Sequence, residues 1–306
     1  MAEGFRVNSS VRAELDFALP EGGTALRELV EPWFADAVRE LAGSAMDPFV
    51  GALDLTGRES ALMTAGAPYG RPGELWGSLW IARVLKSGRK RSGRVFSPKN
   101  WEKFLRDLES VPLEAELRLA VLGPDGYPGS TWITIGARRD YEAPEWVALT
   151  VDRSSEEFEK AQSARHDFII RHADSGRGTA LFGCIADDMD STTGRSSLEA
   201  ALGLFQDETF PVLDRNVRGY SWITVCSPGV AELLGGAEAV RRDGTFAQVR
   251  GVAGGSLFLK ATEDVREYGD DRVLAVFEPL RAVLPAGTPS SFISDRKVRL
   301  VFRDAR

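Results

Sequence analysis

Residues 116–153 read ELRLAVLGPDGYPGSTWITIGARRDYEAPEWVALTVDR. Three runs of roughly alternating apolar residues, ELRLAVLG, STWITIGARR and EWVALTVDR, are separated by GPDGYPG and DYEAP. Alternation with period two marks a strand with one buried face, and Gly, Pro and Asp in the links are turn formers. Links this short join antiparallel neighbours, because a parallel pair needs a crossover of a dozen or more residues. The stretch predicts an antiparallel meander.

Working outward, Ser97-Pro98 opens a helix, with Ser97 as N-cap and Trp101, Phe104, Leu105 and Leu108 on one face. Ahead of it, KSGRKRSGR (Lys86–Arg94) carries five positive charges in nine residues and no aromatic residue. A phosphate- or RNA-binding loop competes there with a solvated turn. The turn is preferred, since stacking platforms for bases are missing. Apolar runs at 61–65 and 79–85 predict short strands. Thr24 caps a helix carrying Leu26, Val30, Trp33, Ala37 and Leu41, with Pro32 as a kink or second start and Gly43 as its close. Residues 4–17 alternate and predict a strand or strand pair.

Beyond the meander, SSEEFEKAQSARHD is helical in pattern, and DFIIRHAD and TALFGCIADD predict two strands. SSLEAALGLF predicts a helix, GYSWITVCS a strand and SPGVAELLGG a short helix ending in a glycine pair. FAQVRGVAGGSLFLKATED reads as a hairpin and DDRVLAVFEPLRAVLPAG as a helix, with KVRLVFRD as a final edge strand. Strand runs joined by short turns, with helices between, predict an α+β fold of antiparallel sheets with flanking helices. The boundary falls between an N-terminal half, 1–154, and a C-terminal half, 155–306. The tetrapeptides TWIT (Thr131–Thr134) and SWIT (Ser221–Thr224) suggest that the halves are related.

The 306 residues, 43% hydrophobic and 27% charged, describe a packed globular chain rather than a disordered one. A formal net charge of −7 argues against a general nucleic-acid role, because phosphate neutralisation supplies most of that affinity. The N-terminus shows no basic segment followed by an apolar run, and no stretch approaches the ~20 apolar residues of a membrane span. A cytoplasmic protein is expected, with Cys184 and Cys226 as buried free thiols.

Candidate chemistry is sparse. Gly219–Gly236, GYSWITVCSPGVAELLGG, places Cys226 and Ser227 at a strand-to-helix junction. A nucleophile elbow there would need the backbone N–H that Pro228 lacks, and a cysteine would need a histidine base. Ser227 as N-cap with Pro228 in the first turn is the better reading. Asp187, Asp188 and Asp190 could chelate a divalent cation, but the ligand offsets of a calcium loop fail. His166 and His172 lie six residues apart without a metal-ligand cluster, and no glycine pattern fits a nucleotide loop. No metal or cofactor is expected.

In GYSWITVCSPGVAELLGG followed by GGSLFLKATEDVREYGDDRVLAVFEPLRAVLP, the last third resembles bacterial immunity proteins of polymorphic-toxin and type VI secretion systems. The shared pattern is an aromatic strand, a short helix ending in glycines, a GG hairpin and a closing helix. The resemblance implies an intracellular antitoxin that occludes a cognate protein toxin, with no catalytic residues to carry over. It implies an acidic docking face for a basic toxin surface, drawn from Asp187–Asp190, Glu156–Glu159 and Glu263–Asp271. The residues singled out are Asp187, Asp188, Asp190, Glu263, Asp264, Asp270 and Asp271. The alternative is a small-molecule enzyme or ligand-binding protein with a pocket between the halves, using Asp187, Asp188 and a histidine.

Overall fold

The computed structural model describes residues 9–20, 26–42, 68–86, 88–108, 113–140, 142–154, 162–190 and 195–285. The expectations for Thr24, Gly43, residues 61–65, Glu156–Glu159 and the run 297–304 lie outside the described residues. The chain divides into two compact units, one of Met1–Asp16 with Ser154–Arg306 and the other of Phe17–Arg153. Strand β1 (Ser9–Ala18) belongs to the former up to Asp16.

In the unit Phe17–Arg153, helix α1 (Leu26–Leu41) runs through Pro32 without ending there. The ring removes one backbone hydrogen bond. Burial of Leu29, Val30, Trp33, Phe34, Ala37 and Val38 along one face outweighs that loss. Strands β2 (Leu75–Leu85) and β3 (Gly88–Val95) form a hairpin, so the basic run is solvent-exposed as expected at Lys86 and Arg89–Arg91, but from Gly88 onward it is an edge strand rather than a turn. Helix α2 (Pro98–Leu108) starts as its sequence requires, with the Ser97 hydroxyl accepting from Asn100 N at 3.2 Å. Its Trp101 and Phe104 stack at 5.5 Å, and Phe104 lies 5.5 Å from Phe34 of α1.

The meander follows as β4 (Glu114–Leu122), β5 (Pro128–Arg139) and β6 (Trp146–Ser154), antiparallel throughout. Aspartates shape both links: Asp125 Oδ1 accepts from Tyr127 N at 3.1 Å, and Asp140 Oδ1 from Glu142 N at 2.7 Å. The strand order in this unit is β3–β2–β4–β5–β6.

In the other unit, α3 (Gln162–Ala173) replaces the strand expected at 167–174. Its buried Arg165, Phe168, Ile169, His172 and Ala173 fall at helical spacing on one face, a pattern that the short FII run concealed. Strand β7 (Thr179–Asp190), helix α4 (Ser197–Leu202) and the single turn α5 (Gln206–Thr209) lead to β8 (Ile223–Cys226). Then come α6 (Pro228–Leu233), α7 (Gly236–Asp243), the hairpin of β9 (Gln248–Gly251) and β10 (Leu257–Lys260), and α8 (Asp270–Leu280). The strand order here is β1–β7–β8–β10–β9. The fold is α+β, with antiparallel strand runs and flanking helices.

Candidate functional site

Three groups of side chains carry potential chemistry: the β8–α6 junction, the acidic stretches and a buried ionic cluster. At the junction Ser227 is buried, and its hydroxyl accepts from Val230 N at 3.2 Å while Pro228 occupies the first helical position. Gly229 is required beside it, because an added Cβ would lie 2.1 Å from the Asp214 carbonyl oxygen. Cys226 is buried and its thiol is pushed up to about 12 by burial, which keeps it protonated and unreactive. His166 is engaged elsewhere. Its Nδ1 lies 2.8 Å from Asp167 and its Nε2 2.9 Å from Gln248, with the ring edge-on to Phe258. His172 lies against Phe168 within α3.

The acidic stretches come together through sheet register. β8 is antiparallel to both β7 and β10, with Ile185 opposite Ile223 and Lys260 opposite the same Ile223. The C-terminal ends of β7 and β10 therefore share one end of the sheet, about 10 Å apart across β8. Asp187 is half-buried on β7, and Asp188 and Asp190 occupy the same strand. Just past β10, Lys260 Nζ donates to Glu263 at 2.8 Å, which holds the glutamate below its ordinary range. Asp264 accepts from Arg266 N at 2.8 Å and from its guanidinium, and these bonds hold it well below the usual carboxylate range.

Asp270 and Asp271 are exposed in the first turn of α8, where the helix N-terminus favours negative charge. The Arg272 guanidinium ties that turn to the same end by donating to Ala261 O at 3.0 Å and Thr245 O at 2.9 Å. Among the described residues, no group of three or more His, Cys, Asp or Glu is placed to hold a metal ion.

The basic run is largely neutralised. Arg89 pairs with Glu114, Arg91 with Glu116 at 3.1 Å and Arg94 with Asp107 at 2.8 Å. The Arg91 guanidinium lies 4.8 Å from the Trp80 ring centre. Gly93 leaves room for that indole, since a Cβ there would meet the ring at 2.6 Å.

The buried cluster was not anticipated from sequence. Arg218, whose side chain is 1% exposed, pairs with Glu14, with Asp16 at 2.7 Å and with Glu199 at 2.5 Å. The Glu199 contact is an ion pair without hydrogen-bond alignment at the guanidinium Nε. Burial opposes charge on Arg218, but Glu14, Asp16 and Glu199 together hold it well above its ordinary value. Gln206 donates to Glu14 at 2.8 Å, and the guanidinium lies 4.3 Å from the Phe182 ring centre.

Glu199 also closes a capping box: its Oε2 accepts from Ser196 N at 2.7 Å and the Ser196 hydroxyl accepts from Glu199 N at 3.2 Å. That S-x-x-E spacing is the signal in the sequence that marks one member of the cluster. Burial, and then the charges of Glu14 and Glu199, push the nearby Cys184 thiol well above its ordinary value.

No family model matches the chain, and no curated protein does. Among solved structures it is similar to the Pseudomonas aeruginosa T6SS protein PA0821, with a TM-score of 0.53 at 13% sequence identity. The match covers 95% of this chain and 79% of that one, and at this identity it establishes a shared fold. Among the described residues, no helix is long and apolar enough to cross a membrane.

Proposed function

We propose that the protein is an immunity-type inhibitor, working in the cytoplasm, that binds a cognate protein toxin and blocks it by occlusion. Its docking face is the acidic end of the unit that contains β7 and β10, with Asp187, Asp188, Asp190, Glu263, Asp264, Asp270 and Asp271 as its charged positions. The observation that carries this reading is the convergence of two sequence-distant acidic stretches at one end of the β7–β8–β10 sheet. Acids outnumber bases there, so the face attracts a basic surface and speeds encounter. The T6SS name of the structural neighbour supports the same setting, since toxins delivered by such systems call for inhibitors in the cells that make them. Burial of Cys226 and Ser227 within the scaffold supports binding over nucleophilic catalysis.

The test is co-expression with the cognate toxin, sought among the secreted proteins encoded beside its gene. Wild-type protein restores growth, the double reversal Asp270→Lys/Asp271→Lys does not, and Cys226→Ser does. Failure of the wild type to protect against that toxin would overturn the proposal.

A further inference from the structure

β1 alternates Ser10, Arg12, Glu14 and Asp16 with Val11, Ala13, Leu15 and Phe17, and all of these but the half-buried Arg12 are buried. On the polar side Glu14, Asp16 and Glu199 converge on the single guanidinium of Arg218. A second cation, Arg12, reaches Glu14 at 3.5 Å and keeps part of its side chain in solvent. Three carboxylates thus face two arginines. An uncompensated charge in a dry interior is strongly disfavoured, and the least costly remedy is a proton on one carboxyl. Asp16 has the atom to receive it: Oδ2 takes Arg218 Nη1 at 2.7 Å, while Oδ1 is buried without a hydrogen-bond partner.

We propose that this cluster is a proton-linked lock. The folded protein carries a proton on Asp16, and release of that proton to solvent loosens β1 from α4 and from the segment bearing Arg218. Arg218, on the segment before β8, and Glu14, on its own strand, act on Asp16 directly, and Arg12 on β1, Cys184 on β7 and Glu199 on α4 complete the cluster. Glu14 and Glu199 each hold a second donor, Gln206 and Ser196 N, whereas Asp16 Oδ1 holds none. Burial raises Asp16 from the ordinary 3.8 to about 7, opposed by Arg218 and reinforced by Glu14. A folded-state value above the unfolded one adds stability that is complete below about pH 4 and lost as pH rises through about 7. Across that window the contribution of Asp16 to the folding constant falls about tenfold per pH unit.

The experiment is denaturant unfolding of wild type and Asp16→Asn across that window and beyond it. The ratio of folding constants, variant over wild type, should rise about tenfold per pH unit to about pH 7 and then level off. A ratio independent of pH would overturn the lock. A measurement on the wild type guards against a variant that does not fold. With ¹³C-labelled aspartate carboxyls, one resonance should titrate near 7. A spectrum in which no aspartate ionises above the ordinary range near 4 would overturn the proposal equally.

Discussion

Arg218 and Arg91 both pair with carboxylates, and both guanidinium groups lie over an aromatic ring, Phe182 at 4.3 Å and Trp80 at 4.8 Å. They differ in access to water, with side-chain exposures of 1% and 47%. On β3, solvent and salt share the task of neutralising Arg91, so the pair with Glu116 adds little beyond what water supplies. Around Arg218 no such substitute exists, and Glu14, Asp16 and Glu199 depend on it. The difference teaches that an ion pair has no fixed worth. The buried set is costly to assemble and still more costly to break, because removing one partner strands the others.

The largest effect follows directly. Arg218→Met should lower unfolding stability by about 3–5 kcal/mol, read from the urea midpoint, because Glu14, Asp16 and Glu199 lose their shared partner. Ser227→Ala at the buried cap should cost about 1 kcal/mol by the same measurement, through the lost acceptor for Val230 N. Arg91→Met should change stability by about 0.5 kcal/mol or less, a difference that fades toward about 1 M salt, where screening is nearly complete. Equal losses at Arg218 and Arg91 would break the comparison. A pH-dependent loss confined to the cluster would sharpen it.

The legible parts of the sequence are those settled by local chemistry. Strands β4 to β6 announce themselves because Asp125 and Asp140 shape the turns between them, and α2 and α6 because Ser97-Pro98 and Ser227-Pro228 are local caps. Strand β3 was opaque because its ladder with β2, and the Glu114 and Glu116 partners lying 25 residues from its arginines, leave no mark in the local run. The α3 segment misled because a three-residue apolar run fits either period.

β1 shows the deeper limit. Its alternation declares two faces but not which of them is covered, and the residue that seals the polar face, Arg218, arrives 202 residues after Asp16. The acidic end was legible residue by residue, whereas its convergence depended on the register of β7, β8 and β10.

In the proposed function the interior groups hold the fold while the acidic end, with Asp270 and Asp271 exposed on it, performs recognition. Calorimetric titration of the purified toxin domain tests this most directly. Wild type and folded Cys226→Ser should bind alike, with affinity that weakens as salt rises, and Asp270→Lys/Asp271→Lys should bind at least about tenfold more weakly. Unchanged, salt-independent affinity in the reversed variant, with binding abolished in folded Cys226→Ser, would contradict it.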